Sequence, residues 1–336
     1  MSFRCVLNVA LTAIVAAPSI ACAQKPLARG EGVITEALIR RHVNVIADDS
    51  MLGRNTPSRG LEMTASYVAS QFKRLGLKPG GDSNSYIQRY SLTKSPPAGR
   101  EAAKAASAPN SVGILMGSDP VLRDEYIVVS AHMDHVGTNG ASTKDSIWNG
   151  ADDDASGTAG VLALAEALSQ APPKRSVIFL TVSGEEHGLW GSAWFASNPP
   201  VSIKKIVANI NLDMIGRNWK DSIVVVGLEH SDLGHTVMKV SALHPELGIT
   251  PMRDPWPQEN FFGRSDHYNF ARRGVPAIFF FNGVHEDYHQ PSDSPDKIDA
   301  EKESRVVRLI FHIMTAVGNA EARPQWNPES YRKIVR

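Results

Sequence analysis

TAGVLALAEALSQAPPKRSVIFLTVSGEE, residues 158–186, changes its hydrophobic period once along its length. Residues 158–170 are apolar on most sides and give way to Pro172-Pro173, the pattern of a buried helix with a hard stop. SVIFLTVS (176–183) is then a short unbroken run of β-branched and large apolar residues, read as a strand covered on both faces. The same alternation extends outward. EYIVVSA (125–131), IVANINLD (206–213), SIVVVG (222–227) and VPAIFFFNG (275–283) read as strands. ITEALIRRHVNVIADD (34–49), SRGLEMTASYVASQFKRLGL (58–77) and KESRVVRLIFHIMTAVGNA (302–320) carry helical spacing. Strands alternating with helices, and apolar throughout, predict a mainly parallel sheet with helices on both sides. The expected architecture is therefore α/β: a single three-layer α/β/α domain with a mostly parallel, mixed central sheet. SPPAGREAAKAASAPNS (95–111) reads as an exposed connector, and the tail after Pro324 as loosely held.

The 336 residues, 42% hydrophobic and 21% charged, suffice for a large core. Lys+Arg equals Asp+Glu at 35 each, which argues against nucleic acid or an anionic membrane as the main partner. Residues 1–23 read as a signal peptide. Arg4 is the basic start, VLNVALTAIVAA the apolar stretch, and Ala21-Cys22-Ala23 the cleavage site before Gln24. That stretch is too short to span a bilayer comfortably, so no transmembrane span is expected. Both cysteines, Cys5 and Cys22, fall within residues 1–23. Ser19-Ile20-Ala21-Cys22 also resembles a lipoprotein cleavage site, which would place a lipid anchor on Cys22. The expected destination is the periplasm or the cell exterior.

In open α/β sheets, ligands collect at the carboxyl ends of strands. Here those ends run into Ala131-His132-Met133-Asp134-His135, Ser183-Gly184-Glu185-Glu186-His187, Asn211-Leu212-Asp213 and His285-Glu286-Asp287-Tyr288-His289-Gln290. NGADDDASG (149–157) adds Asp152, Asp153 and Asp154 at a helix start. Taken singly, an aspartate there is as good a helix cap as a ligand, and a lone histidine is usually a satisfied core residue. Taken together, so many imidazoles and carboxylates on one rim call for a cation. A mixed His and carboxylate set selects a borderline metal such as zinc. Two histidines with three or more carboxylates exceed what one zinc needs and fit two metals sharing a bridging carboxylate and a water. The positive charge facing the aspartates would then be supplied from outside the chain. His132 and Asp134 leave their strand on one side, so Asp134 can fix the imidazole tautomer. Of the adjacent Glu185 and Glu186, one can bind metal while the other serves as general base.

AHMDHVG, NGADDDASG, SGEEHGLWGS, NLDMIGR, SDHYNF and YHQPSD, in that order, resemble the secreted di-zinc aminopeptidases, relatives of glutamate carboxypeptidase. The resemblance runs from about Leu38, through HVNVIADDSMLGR and LGLKPGG, to about Val317. It implies that His132, Asp153 and Asp213 hold one zinc while Asp153, Glu186 and His289 hold the other, with Asp153 bridging. Glu185 would be the general base, Asp134 would orient His132, and Tyr288 would stand near the substrate carbonyl. Asp152 would stabilise its loop and Asp154 would cap the helix. The zinc peptidase domain would cover 24–320, followed by a tail at 321–336. The connector is too short for the protease-associated domain that larger relatives insert. Selection would then fall to loops, RDPWPQENFFG (253–263) first, with Trp256, Phe261 and Phe262 either lining an apolar pocket or simply packing.

The implied reaction is hydrolysis of the N-terminal bond of peptides. A carboxypeptidase or dipeptidase is the main alternative; it would need an arginine for the free carboxylate, and Arg217, Arg264, Arg272 and Arg273 are available. A glutaminyl cyclase-like acyltransferase fits less well, because Tyr288 and not Trp precedes His289. A non-enzymatic binding ectodomain would be expected to have lost ligands, and none is missing.

Overall fold

The computed structural model describes residues 27–92, 107–139 and 145–336. The expected signal peptide with Cys5 and Cys22, and most of the expected connector, lie outside the described residues. Nine strands form one sheet: β1 (Lys78–Pro79), β2 (Ile87–Ser91), β3 (Ser107–Leu115), β4 (Tyr126–His132), β5 (Ser176–Val182), β6 (Ile206–Leu212), β7 (Ser222–Val226), β8 (Thr250–Met252) and β9 (Ala277–Phe281). Their order is β1-β3-β5-β4-β6-β9-β7-β8, with β2 also pairing β3. The four central strands β5-β4-β6-β9 are parallel, as their apolar runs predict. The flanks are mixed: β3 runs antiparallel to β5, and β7 antiparallel to β9.

The helices are α1 (Glu36–Ile46), α2 (Arg59–Arg74), α3 (Gly157–Gln170), α4 (Trp190–Ser197), α5 (Leu233–Leu243), α6 (His267–Ala271), α7 (Ala300–Asn319) and α8 (Pro328–Ile334). On one face of the sheet α1, α2, α3, α5 and α7 bury the largest core, around Ile127, Val129, Phe179, Ile210 and Phe280. On the other, Phe195 of α4 and Phe270 of α6 pack against Val128, Ile178 and Leu180. Alternate residues of β4 and β5 thus serve opposite layers, which is why these strands tolerate no polar break. α3 is buried almost all round, and a Cβ at Gly160 would lie 2.7 Å from Leu212 Cδ2.

β4 connects to β5 on one side through α3, and β5 returns through α4 to β6 on the other side of β4. The two crossovers cover opposite faces, so the carboxyl end of β4 is a topological switch point where a crevice must open. His132 is the last residue of β4.

Two expectations need correction. Residues 107–111 are not connector but the buried start of β3. Asn110 and Ser111 are fully buried there, and the Asn110 amide donates to Gly191 O and Gln88 Oε1 while accepting from Ser183 N. Its polar residues are satisfied by side-chain partners distant in sequence, so local composition misleads. The tail is also not loose. Trp326 pairs with Ser231 and donates its indole N–H to Gly274 O at 2.9 Å; α8 follows, capped by Asn327. The fully buried Arg175 guanidinium gathers the carbonyls of Val317, Ala320 and Glu321. A tail held by one tryptophan and backbone carbonyls shows no hydrophobic period.

Candidate metal centre

Each strand end delivers its residue by a local device. After β5, Gly184 turns at φ 70°, and a Cβ there would lie 2.6 Å from the Tyr90 hydroxyl, so only glycine lets Glu185 and Glu186 follow. The Asp134 carboxylate fastens that turn to β4, accepting from Gly184 N at 2.7 Å and from the Thr56 hydroxyl at 2.9 Å. Asp213 follows β6 directly. His289 arrives in the left-handed region at φ 54°, a conformation that costs a non-glycine residue roughly 1–3 kcal/mol.

The three neighbouring aspartates divide their work. Asp152 stabilises the loop, accepting from Gly216 N (2.7 Å) and the Asn282 amide (3.0 Å), with His285 Nε2 also 3.0 Å away. Asp154 takes Gly157 N (2.8 Å) at the start of α3, and also Met214 N and His132 N. Asp153 is left to face the crevice. Its Oδ1 lies 3.1 Å from His132 Nε2, and its Oδ2 lies 3.0 Å from His289 Nε2. Asp213 Oδ1 is 3.6 Å from His132 Nε2, and Glu186 Oε2 is 3.0 Å from His289 Nε2.

All five residues expected from the sequence as ligands are therefore brought together, in two groups that meet at Asp153. One group is His132, Asp153 and Asp213; the other is Asp153, Glu186 and His289. Asp154 also lies within reach of His132 and Asp213. Its two oxygens are already engaged by three backbone N–H donors, so Asp153 is the better ligand. Glu185, Asp213, His132 and Tyr288 line the same hollow, and Tyr288 stacks on His289. His132 Nδ1 is 3.2 Å from the Asp134 carbonyl oxygen and 3.6 Å from its carboxylate, so backbone and side chain together hold the ring.

The electrostatics describe a site built for cations. Burial opposes the charge on His289, yet the Asp153 and Glu186 carboxylates override it and raise its pKa to about 10. Burial likewise opposes the charge on His132, and Glu185 and Asp213 raise it well above the usual imidazole range. Both imidazoles thus sit in strongly negative surroundings. Burial, with the Asp213, Asp266 and Glu186 carboxylates, pushes Glu185 well above the ordinary range, against the pull of His132. Several donor atoms are buried with no hydrogen-bond partner: both ring nitrogens of His135, Glu186 Oε1 and His289 Nε2. Unpartnered donors converging on a mixed imidazole–carboxylate set are the chemistry of a zinc site, and the residues fit two such ions.

The expectation that the chain itself supplies no positive charge facing the aspartates needs correction. The chain does encode a cation beneath the aspartates: Arg54, fully buried and about 100 residues before them in sequence. It donates to the carbonyls of Ile46, Met133, Asn149 and Gly150, and its charge acts on Asp153, Asp134, Asp293 and Asp154. Sequence reasoning also missed a polar chain that ends on Asp213. Asn209 donates to Ser130 (2.9 Å), Ser130 to Asn211 (2.6 Å), Asn211 to Ser265 (2.8 Å) and Ser265 to Asp213 Oδ2 (2.6 Å). The available signal was two asparagines breaking the apolar run IVANINLD. Ser265→Ala is expected to weaken metal binding by roughly 10–100-fold, the cost of losing an outer-shell partner, as measured by zinc competition with a chromogenic chelator.

The candidate selection loop splits. Phe261 lines the hollow with Met214, Phe281 and Val284. Trp256 backs it, edge-on to Phe261 and Phe281 and stacked on Trp219. Phe262 turns away to pack on His230 and His267. Of the four arginines, Arg264 alone is in the hollow, lying over Phe261 with Glu259 3.3 Å away; Arg217 pairs with Asp287, Arg273 bonds Ser197 and Arg272 lies over Tyr268. A larger hollow of about 790 Å³ lies at the amino ends of β6 and β9, but its walls carry Lys204, Arg273, Arg323 and Arg332 with no carboxylate or imidazole.

Comparison with known proteins identifies the family. Residues 110–314 match the model of peptidase family M28. A probable zinc metalloprotease of Pyrenophora tritici-repentis is 23% identical over 333 residues, covering 86% of this chain and 67% of that protein. Aminopeptidase YwaD of Bacillus subtilis is 25% identical over 224 residues, covering 64% and 46%. Among solved structures, an aminopeptidase from Aneurinibacillus sp. strain AM-1 superposes with a TM-score of 0.67 at 17% identity, covering 88% of this chain and 97% of that one. The chain belongs to peptidase family M28. It is a hydrolase of peptide bonds on a three-layer α/β/α fold.

Proposed function

We propose that this peptidase is an exported zinc aminopeptidase that holds two zinc ions and releases the N-terminal residue of peptides. One observation carries the reading: the two oxygens of Asp153 face different ligand groups, 3.1 Å from His132 and 3.0 Å from His289. His132, Asp153 and Asp213 would hold one ion, and Asp153, Glu186 and His289 the other. When bound, the ions supply Lewis acidity, lowering the pKa of water and polarising the scissile carbonyl. Glu185 takes the proton of the attacking water and returns it to the leaving amine. Its buried, carboxylate-crowded surroundings favour holding that proton between the two steps. Tyr288 lines the same hollow, which supports a role for its hydroxyl as donor to the developing oxyanion. Asp134 keeps His132 and the Glu185 turn in register. Phe261, Phe281 and Met214 offer an apolar wall to the side chain of the released residue.

The catalytic domain would occupy 24–320 after removal of residues 1–23, with 321–336 docked beneath it. No helix among the described residues is long and apolar enough to cross a membrane.

Arg264 favours a second reading, because a guanidinium in the hollow suits a free carboxylate. A panel of aminoacyl-p-nitroanilides, with and without chelator, tests the main proposal. Chelator-sensitive hydrolysis is expected, fastest for apolar aminoacyl groups. N-acetylated dipeptides should resist cleavage while C-amidated ones are cut. The reverse pattern would establish a carboxypeptidase.

A further inference from the structure

We propose that His135 is a fourth protein ligand of the metal held by Asp153, Glu186 and His289, reaching that ion from the buried side, so that it is the more enclosed of the two. The inference rests on the two-metal reading and goes beyond the ligand set that the resemblance implies, in which His135 has no role.

Donor atoms 2.0–2.1 Å from a common tetrahedral centre lie about 3.3 Å from one another. His135 Nδ1 is 2.9 Å from Glu186 Oε1 and 3.6 Å from Asp153 Oδ2. The corresponding separations for His289 Nε2 are 3.0 Å to Asp153 Oδ2 and 3.0 Å to Glu186 Oε2. The four residues thus present donors at the spacing of one coordination sphere.

A hydrogen bond from His135 to Glu186 is the competing explanation, and the geometry speaks against it. At 2.9 Å the distance would suit one, yet neither Nδ1 nor Glu186 Oε1 has a hydrogen-bond partner. The N–H direction misses the oxygen. His289 Nε2 shows the same combination of short contacts and no hydrogen bond. Lone pairs aimed at a shared point between the donors produce that pattern; an N–H aimed at one oxygen does not. The ring is also fixed. His135 is fully buried, its face lies against Gly150, where a Cβ would come 2.5 Å from its Cγ, and it stands edge-on to His289 at 5.4 Å. Two unsatisfied ring nitrogens locked at this depth are costly without a partner.

The hollow divides the two ions in the same sense. Its walls include His132, Asp153, Asp213 and Glu185, but not His135, Glu186 or His289. Substrate would therefore meet the ion of His132, Asp153 and Asp213 first, with His135 behind the other on the side away from the hollow.

The test is zinc loading of the metal-free full chain, with His135→Asn and His135→Ala beside the wild type. Asparagine can place an N–H near the Nδ1 position but is a poor zinc ligand. Competition against a chromogenic chelator should show both variants losing more than about 100-fold in affinity at the first-filling site, beyond the ~10–100-fold of an outer-shell partner. The second site should change less than the first. Zinc X-ray absorption of the chain loaded with one equivalent should count two imidazoles in the wild type and one in His135→Asn. A His135→Asn variant within tenfold of wild-type affinity would overturn the proposal, as would a single imidazole in the wild type. The second measurement stands even where the variants fail to fold. A wild-type chain that binds no zinc would instead sink the proposed function itself.

Discussion

Glu185→Gln should retain both metals and lose roughly 10²–10⁴-fold in kcat, the range that positioned general acid–base groups supply. Glutamine keeps the shape and removes only the proton acceptor. Glu185 is not among the donor groups that converge on either metal position, so elemental analysis after dialysis should match the wild type. The substitution also removes a buried carboxylate from beside Asp213, Asp266 and Glu186, so the folded chain should not be weakened. KM should change far less than kcat, because the proton is moved only as the reaction proceeds. A metal-replete Glu185→Gln enzyme working at near wild-type rate would reassign the base.

Asp153→Ala should behave differently, losing metal and activity together. Its two oxygens serve both groups at once, so one substitution opens both coordination spheres. Metal content should fall well below that of the wild type, and residual hydrolysis should fall below that of Glu185→Gln. Thermal unfolding gives an independent readout. A ligand present at 1,000 times its Kd stabilises the folded state by about 4 kcal/mol, so added zinc should raise the wild-type Tm by several degrees and leave that of Asp153→Ala nearly unchanged. A variant that still held two equivalents would mean that Asp153 does not bridge.

How much of this was legible in the chain depends on how local each feature is. The central strands could be read because burial on both faces writes itself as unbroken Val, Ile and Phe. The five ligand candidates could be read because strand ends are where such an architecture collects them. Spacing alone did not say which of Asp152, Asp153 and Asp154 faces the crevice; the resemblance supplied that. What could not be read is held by distant partners. β3 begins in SAPNS because Asn110 is satisfied by Gln88, Ser183 and Gly191. The tail docks through Trp326 and carbonyls gathered by Arg175. His135 lay in plain view within AHMDHVG. Strict alternation out of β4 would put it on the opposite side from His132, and the chain leaves the strand before that rule applies.

Arg54 bears on how such a centre can come into being at all. All of its hydrogen bonds go to main-chain oxygens, and none goes to an aspartate. Attraction without occupancy is the result: the acidic loop is drawn into shape while its lone pairs stay vacant. A guanidinium clasped directly on Asp153 would have to be evicted before any ion could enter. As built, the polypeptide can finish folding with the seats already arranged, and the metals need only arrive.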